Sequence, residues 1–185
     1  AGGPARATPP SAGRPGIREG PGKARGWETV GAMGDCDSVR RAAEQVLGEH
    51  ERLDVWIHNA GTLTPQRLET PDGVEATVAS QVVGPFLLTC LLLDRLKESA
   101  PARVITMSSG GMYTAELTVD HLQMSSDLYN GAKQYALAKR AQVTLNEMWA
   151  QRVEQRSVVF HAMHPGWADT PGVEESLPTF RKLVG

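Results

Sequence analysis

Two cysteines, Cys36 and Cys90, are too few to staple a chain of 185 residues, and no Cys, His or carboxylate group stands at metal-ligand spacing. The expectation is a reducing, intracellular compartment with no metal. An excess of one charge is lacking too: 19 Lys and Arg against 21 Asp and Glu leave a formal net charge of -2. That gives no field to attract nucleic acid or an anionic membrane. The longest apolar run, Gly84 to Leu93, has about ten residues against the roughly 20 that cross a bilayer, so it reads as a buried helix and not as a membrane segment. The opening from Ala1 carries no apolar signal-peptide core. A small-molecule partner and a homo-oligomer remain compatible with all of these absences.

Large apolar residues are scarce from 1 to 26, where Gly, Pro, Ala and Arg dominate, so this stretch cannot bury enough surface to offset its ordering entropy. A disordered tail is expected there. Its basic residues have no interleaved aromatics for stacking on bases, which favours a solvated tail over a nucleic-acid arm. From 27 to 185 short β-prone runs alternate with helical patterns, the signature of an α/β fold with a parallel sheet. Strands are expected over 28–33, 53–58, 102–107 and 157–163. Helices are expected over 37–49, capped by Asp37 or Ser38, over 72–98 with a break allowed at Gly84-Pro85, and over 129–155. Hydrophobic residues make up 41% of the chain, enough for one core.

Ligands of open parallel sheets bind beyond the carboxyl ends of the strands, so the residues that follow each strand carry the most information. They read Asn59-Ala60-Gly61, Ser108-Ser109-Gly110-Gly111 and His164-Pro165-Gly166-Trp167-Ala168-Asp169-Thr170. Tyr135-Ala-Leu-Ala-Lys139 adds a phenol and an ammonium at i,i+4, one turn apart on one helix face. A free Tyr, with a pKa of about 10, is a poor acid or base at neutral pH, and a neighbouring cation favours its phenolate. A serine hydroxyl beside it could hydrogen-bond an oxygen that gains charge. A Tyr-x-x-x-Lys pair by itself is as well explained by an aromatic anchor beside a solvated lysine.

Taken in order, Asn59-Ala60-Gly61, the double serine, Tyr135-x-x-x-Lys139 and Pro165-Gly166-x-x-x-Thr170 resemble the short-chain dehydrogenase/reductase family, over residues 33–185. The resemblance implies an incomplete Rossmann-type, doubly wound parallel sheet that binds NAD or NADP and interconverts a small-molecule carbonyl and alcohol by hydride transfer. By it, Tyr135 is the general acid/base, Lys139 lowers the Tyr135 pKa and holds the nicotinamide ribose, and Ser109 orients the substrate oxygen. Asn59, Ala60 and Gly61 would line the cofactor site, Asp35 would face the adenine, and Pro165, Gly166 and Thr170 would border the nicotinamide. Gln81 occupies a position where the family has an Asn that holds a relay water, which places its amide about one bond length further out.

Other family features are missing from the sequence. No strand leads into a Thr-Gly-x-x-x-Gly-x-Gly turn: in 11–17 the glycines Gly13 and Gly16 are one residue too close, and Pro21 follows where a helix should run. The sheet would then carry a new edge beside 53–58, and the end at Gly185 would omit the last strand and most of the substrate loop. The alternative to an NAD(P)-dependent oxidoreductase is therefore a catalytically inactive, truncated relative or an interaction module. His58, His121, His161 and His164 are read as structural, Trp149 as a packing anchor, and the methionines as core filling or an apolar substrate wall. Tyr113 and Tyr129 are open between packing and substrate entry.

Overall fold

Val39 and Ala43 turn inward on helix α1, Cys36–Glu49, the first element of the computed structural model, which describes residues 31–166. The tail expected over 1–26, most of the strand expected over 28–33, and Thr170 lie outside the described residues, and 31–33 belong to no strand. The α1 cap is Asp35 and not Asp37 or Ser38. Asp35 keeps an extended backbone while the helix begins at the next residue, so its carboxylate is the one placed to accept the Asp37 N–H, at 3.0 Å. The Ser38 hydroxyl instead accepts the Ala32 N–H at 2.9 Å.

Three parallel strands, β1 (Val55–His58), β2 (Ala102–Met107) and β3 (Val158–Met163), pair in the order β1-β2-β3. Parallel neighbours need crossover connections. Helix α3 (Gly84–Glu98) lies in the first crossover and α4 (Gly131–Arg152) in the second. Leu88, Leu92 and Leu96 of α3 pack with Val104, Val158 and Phe160 of the sheet and with Val39 and Ala43 of α1, each buried leucine contributing about 1.5–3 kcal/mol. Trp149 of α4 is the anchor that was expected, stacked on Phe160 at 6.1 Å and tilted against Phe86 at 5.6 Å.

All of this packing is on one face of the sheet. Strand side chains alternate, so Trp56, Val104 and Phe160 point into the core, while the other face carries Val55, Ile57 and Met163, each about half exposed, with exposed Arg103 and His161. The fold is an incomplete Rossmann-type α/β fold. Among the described residues its helices cover a single face, and the outer edge of β1 pairs with no strand.

The break allowed at Gly84-Pro85 takes a different form. Helix α2 (Ala76–Val78) runs into one π-helical turn, Ala79–Val83, and then into α3, so the Gly84 N–H reaches back to the Ala79 carbonyl. The widened turn holds one extra residue. Pro85 follows in the first turn of α3, where its missing N–H is tolerated. Gly84 is required by a close approach: a Cβ there would overlap the Met33 carbonyl oxygen. Ala76–Glu98 is long and apolar enough by composition to cross a membrane, with a mean hydropathy of 1.8, although Leu88, Leu92 and Leu96 place its inward side in the core. Gly84→Ala is expected to destabilise the fold by about 1–3 kcal/mol, read as a lower midpoint of urea unfolding at unchanged slope.

Candidate active site

Because the strands are parallel, the three segments that follow them emerge at one edge of the sheet. Asn59, Ala60 and Gly61 are exposed after β1, Ser108 and Ser109 follow β2, and Pro165 and Gly166 follow β3. A cleft of about 1720 Å3 opens there, lined by Gly61, Ser109, Tyr135, Pro165 and Gly166 among others. It exceeds the roughly 300–1,000 Å3 of a typical small-ligand pocket.

Helix α4 brings Tyr135 to this cleft and buries Lys139 one turn further on. It starts where the Asn130 side chain accepts the Lys133 N–H at 2.9 Å, and Gly131 is required because a Cβ there would overlap the Thr64 carbonyl oxygen. The loop after β1 is thereby pressed against the first turn of α4. Ser109 caps the short 3-10 turn Gly110–Thr114, its oxygen accepting the Gly111 N–H at 3.3 Å. The hydroxyl proton remains free, and the Ser109 side chain favours the ionised form of Tyr135.

Lys139 is 2% exposed. Its Nζ donates to the Met107 carbonyl at 2.8 Å and to Gln142 Oε1 at 3.0 Å, and stands 5.7 Å from the Tyr135 ring centre. Burial pushes the amine down to about 8. The expected lowering of Tyr135 by this cation is reversed: burial raises the half-buried phenol, with the Ser109 hydrogen bond acting in the opposite direction. Two of the ammonium's three protons are directed to Met107 and Gln142.

Gln81 sits buried in the π-helical turn. Its Nε2 donates to the Thr62 carbonyl at 2.6 Å, while Oε1 is buried without a partner. A side chain on Gly61 would stand 3.6 Å from that Oε1 and 3.7 Å from Lys139 Nζ. Gly61, Gln81 and Lys139 thus share one small space, into which an unmet acceptor and the third ammonium proton can both be directed. Asp35 is engaged elsewhere, capping α1 with its carboxylate 3.9 Å from Arg41.

Several supporting residues escaped the sequence reading. Glu75 is fully buried, accepting the Val78 N–H at 2.9 Å and the Tyr129 hydroxyl at 3.1 Å. Since Tyr129 gives its proton to the carboxylate, the Thr64 hydroxyl, 2.8 Å away, donates to Tyr129. Tyr129 is therefore a structural tie. Gln134 holds the wall opposite, accepting the Met124 N–H at 2.8 Å and donating to the Leu122 carbonyl at 2.9 Å. Only Gln142 had a readable signal, its i,i+3 spacing from Lys139. Tyr113 is exposed on the 3-10 turn.

His58 faces the core beneath the site. The Thr89 hydroxyl donates to the Pro85 carbonyl, so His58 Nε2–H donates to Thr89, at 2.8 Å. Burial, with the Lys139 charge in second place, pushes His58 down to about 4. Among the described residues no group of three or more His, Cys, Asp or Glu is placed to hold a metal ion, and both cysteines are free thiols.

Comparison with known proteins now decides the family: the pattern described as short chain dehydrogenase matches residues 22–179. The chain belongs to the short chain dehydrogenase family. It is 39% identical over 153 residues to dehydrogenase/reductase SDR family member 12 of Homo sapiens, covering 83% of this chain and 47% of the relative. It is 37% identical over 138 residues to human retinol dehydrogenase 13, covering 75% and 42%. The chain spans about half the length of these curated relatives. In fold it is similar to a short chain dehydrogenase from Salmonella enterica serovar Typhi, with a TM-score of 0.60 and 21% identity over 78% of this chain and 56% of the other. The Pseudomonas aeruginosa RhlG/NADP active-site complex gives a TM-score of 0.60 at 24% identity, over 77% and 54%.

The depressed His58 sets a pH dependence for this family member. The unfolded chain takes up the imidazole proton at about 6.5 and the folded chain only at about 4. Stability from this group is complete above 6.5 and is lost as pH falls toward 4, by roughly 3 kcal/mol in all. His58→Gln is expected to flatten that slope in urea unfolding measured between pH 7 and pH 4.

Proposed function

We propose that this cleft is the active site of an NAD(P)-dependent oxidoreductase that interconverts a small-molecule carbonyl and alcohol, with Tyr135 as the acid/base. The observation that carries the reading is the convergence at the sheet edge of Ser109 and Tyr135 in one cleft, with a buried amine one turn away. The names of the relatives, a dehydrogenase/reductase and a retinol dehydrogenase, support it, as does a structural neighbour complexed with NADP.

The residues present fit the nicotinamide-ribose half of the cofactor. Gly61 leaves open the space between the unpartnered Gln81 Oε1 and Lys139 Nζ, and the cleft extends from Gly61 to Pro165 and Gly166. Asn59, Ala60, Gly61, Lys139, Pro165 and Gly166 would hold it. When bound, NAD or NADP supplies or accepts the hydride.

The rest of the chemistry belongs to side chains of this chain. Ser109, its oxygen fixed by the Gly111 N–H, donates toward the substrate oxygen as charge develops there. Burial keeps Tyr135 protonated at neutral pH, so its hydroxyl gives a proton to that oxygen when the carbonyl is reduced and takes it back in the reverse direction. The Lys139 ammonium offsets the charge left on the phenolate. Gln81 Oε1 would accept from a water hydrogen-bonded to Lys139, through which the proton is replaced from solvent.

A second reading, a catalytically silent relative acting as an interaction module, is favoured by the uncovered sheet face at Val55, Ile57 and Met163. Isothermal titration of the chain with NADH and NADPH separates the two. Binding of either, with turnover of a carbonyl panel that falls by about 10²–10⁴ in Tyr135→Phe while cofactor affinity is kept, is the expected outcome. Absence of binding at millimolar concentration excludes the oxidoreductase.

A further inference from the structure

Lys139 is held from along its own helix as well as from β2. Gln142 lies three residues further on α4, on the same side of the helix, and is 4% exposed. An ammonium has three donors and no acceptor, so it selects the amide oxygen of Gln142, at 3.0 Å; a flipped amide would set N–H against N–H. That choice leaves Nε2 buried without a partner. The same side chain lines a cavity of about 20 Å3 together with His58, Thr106 and Asn146. Its walls are mostly apolar, with these polar side chains among them, and it admits about one water. Thr106 and Asn146 are already bonded to each other at 3.0 Å, so the amide proton is the unmet group there.

We propose that Gln142 is the positioning residue of this site: its Oε1 fixes the Lys139 amine at the end of β2, and one water in the cavity takes the Nε2–H and holds the amide in that orientation. Gln142 touches neither substrate nor cofactor and acts through Lys139. The proposal rests on the oxidoreductase reading for the use made of Lys139, while the contact itself is testable without it.

The titratable groups that face Lys139 are Tyr135, one turn back on α4, and His58 from β1. The π-helical turn and β2 present the neutral Gln81 amide and Met107 carbonyl. Lysine 13Cε resonances of the full chain, followed against pH and assigned with Lys139→Arg, read the ionisation of this amine directly. Gln142→Met keeps the length of the side chain and removes the acceptor, and is expected to move the Lys139 midpoint down by about one pH unit. Gln142→Glu places an opposite charge against the amine and is expected to move it up. A side chain that only filled space would move neither. An unchanged midpoint in Gln142→Met, or a shift of the same sign in both variants, overturns the proposal. Should Gln142→Met fail to fold, Gln142→Asn, which withdraws the amide by one methylene, must lower the midpoint, and no change there overturns it equally. Titration with NADH and NADPH is scored separately: loss of cofactor binding in the unaltered chain defeats the oxidoreductase reading and leaves the lysine result to stand by itself.

Discussion

A lysine amine taken out of water must either find fixed acceptors or give up its charge, and the architecture around Lys139 follows from that requirement. One acceptor is the carbonyl of Met107, the last residue of β2, available because the ladder ends there and the chain turns away. The other comes from α4 itself. The amine can reach both only if α4 keeps its height against the sheet, and the contact of Gly131 with the Thr64 carbonyl sets that height. A single buried cation thus ties the sheet end, the long helix and the loop after β1 into one register.

Burial acts on Tyr135 and Lys139 alike by disfavouring their charged forms, raising one and lowering the other. The walls are secured independently of both. Glu75 and Tyr129 fasten the start of α2 to the loop carrying Thr64, and Gln134 fastens the chain near Met124 to α4. Polar groups of the cleft walls are consequently oriented before anything enters it.

What was legible in the sequence was local. Strand β2 matches its expected span because alternating Ala102, Val104 and Thr106 carry a period of two, and Tyr135 and Lys139 share a helix face by spacing alone. The same local rules missed what depends on distant backbone. The Asp35 cap depends on the path by which the chain enters α1. The π-helical turn exists where the backbone at Met33 crosses the helix at Gly84, a contact between residues far apart in sequence. The direction of the Tyr135 shift depends on how deeply the phenol is buried, and a spacing of four does not encode that. Nor does a periodic pattern reveal which sheet face is covered: Val55 and Ile57 stand half exposed.

That open face also has a calorimetric meaning. The heat-capacity increment of unfolding comes from apolar surface that water reaches only when the chain opens. Surface at Val55, Ile57 and Met163 that is already wet in the folded state adds correspondingly less. The sheet of the described residues therefore contributes less to the heat-capacity increment, and to the curvature of stability with temperature, than one sandwiched between two helical layers.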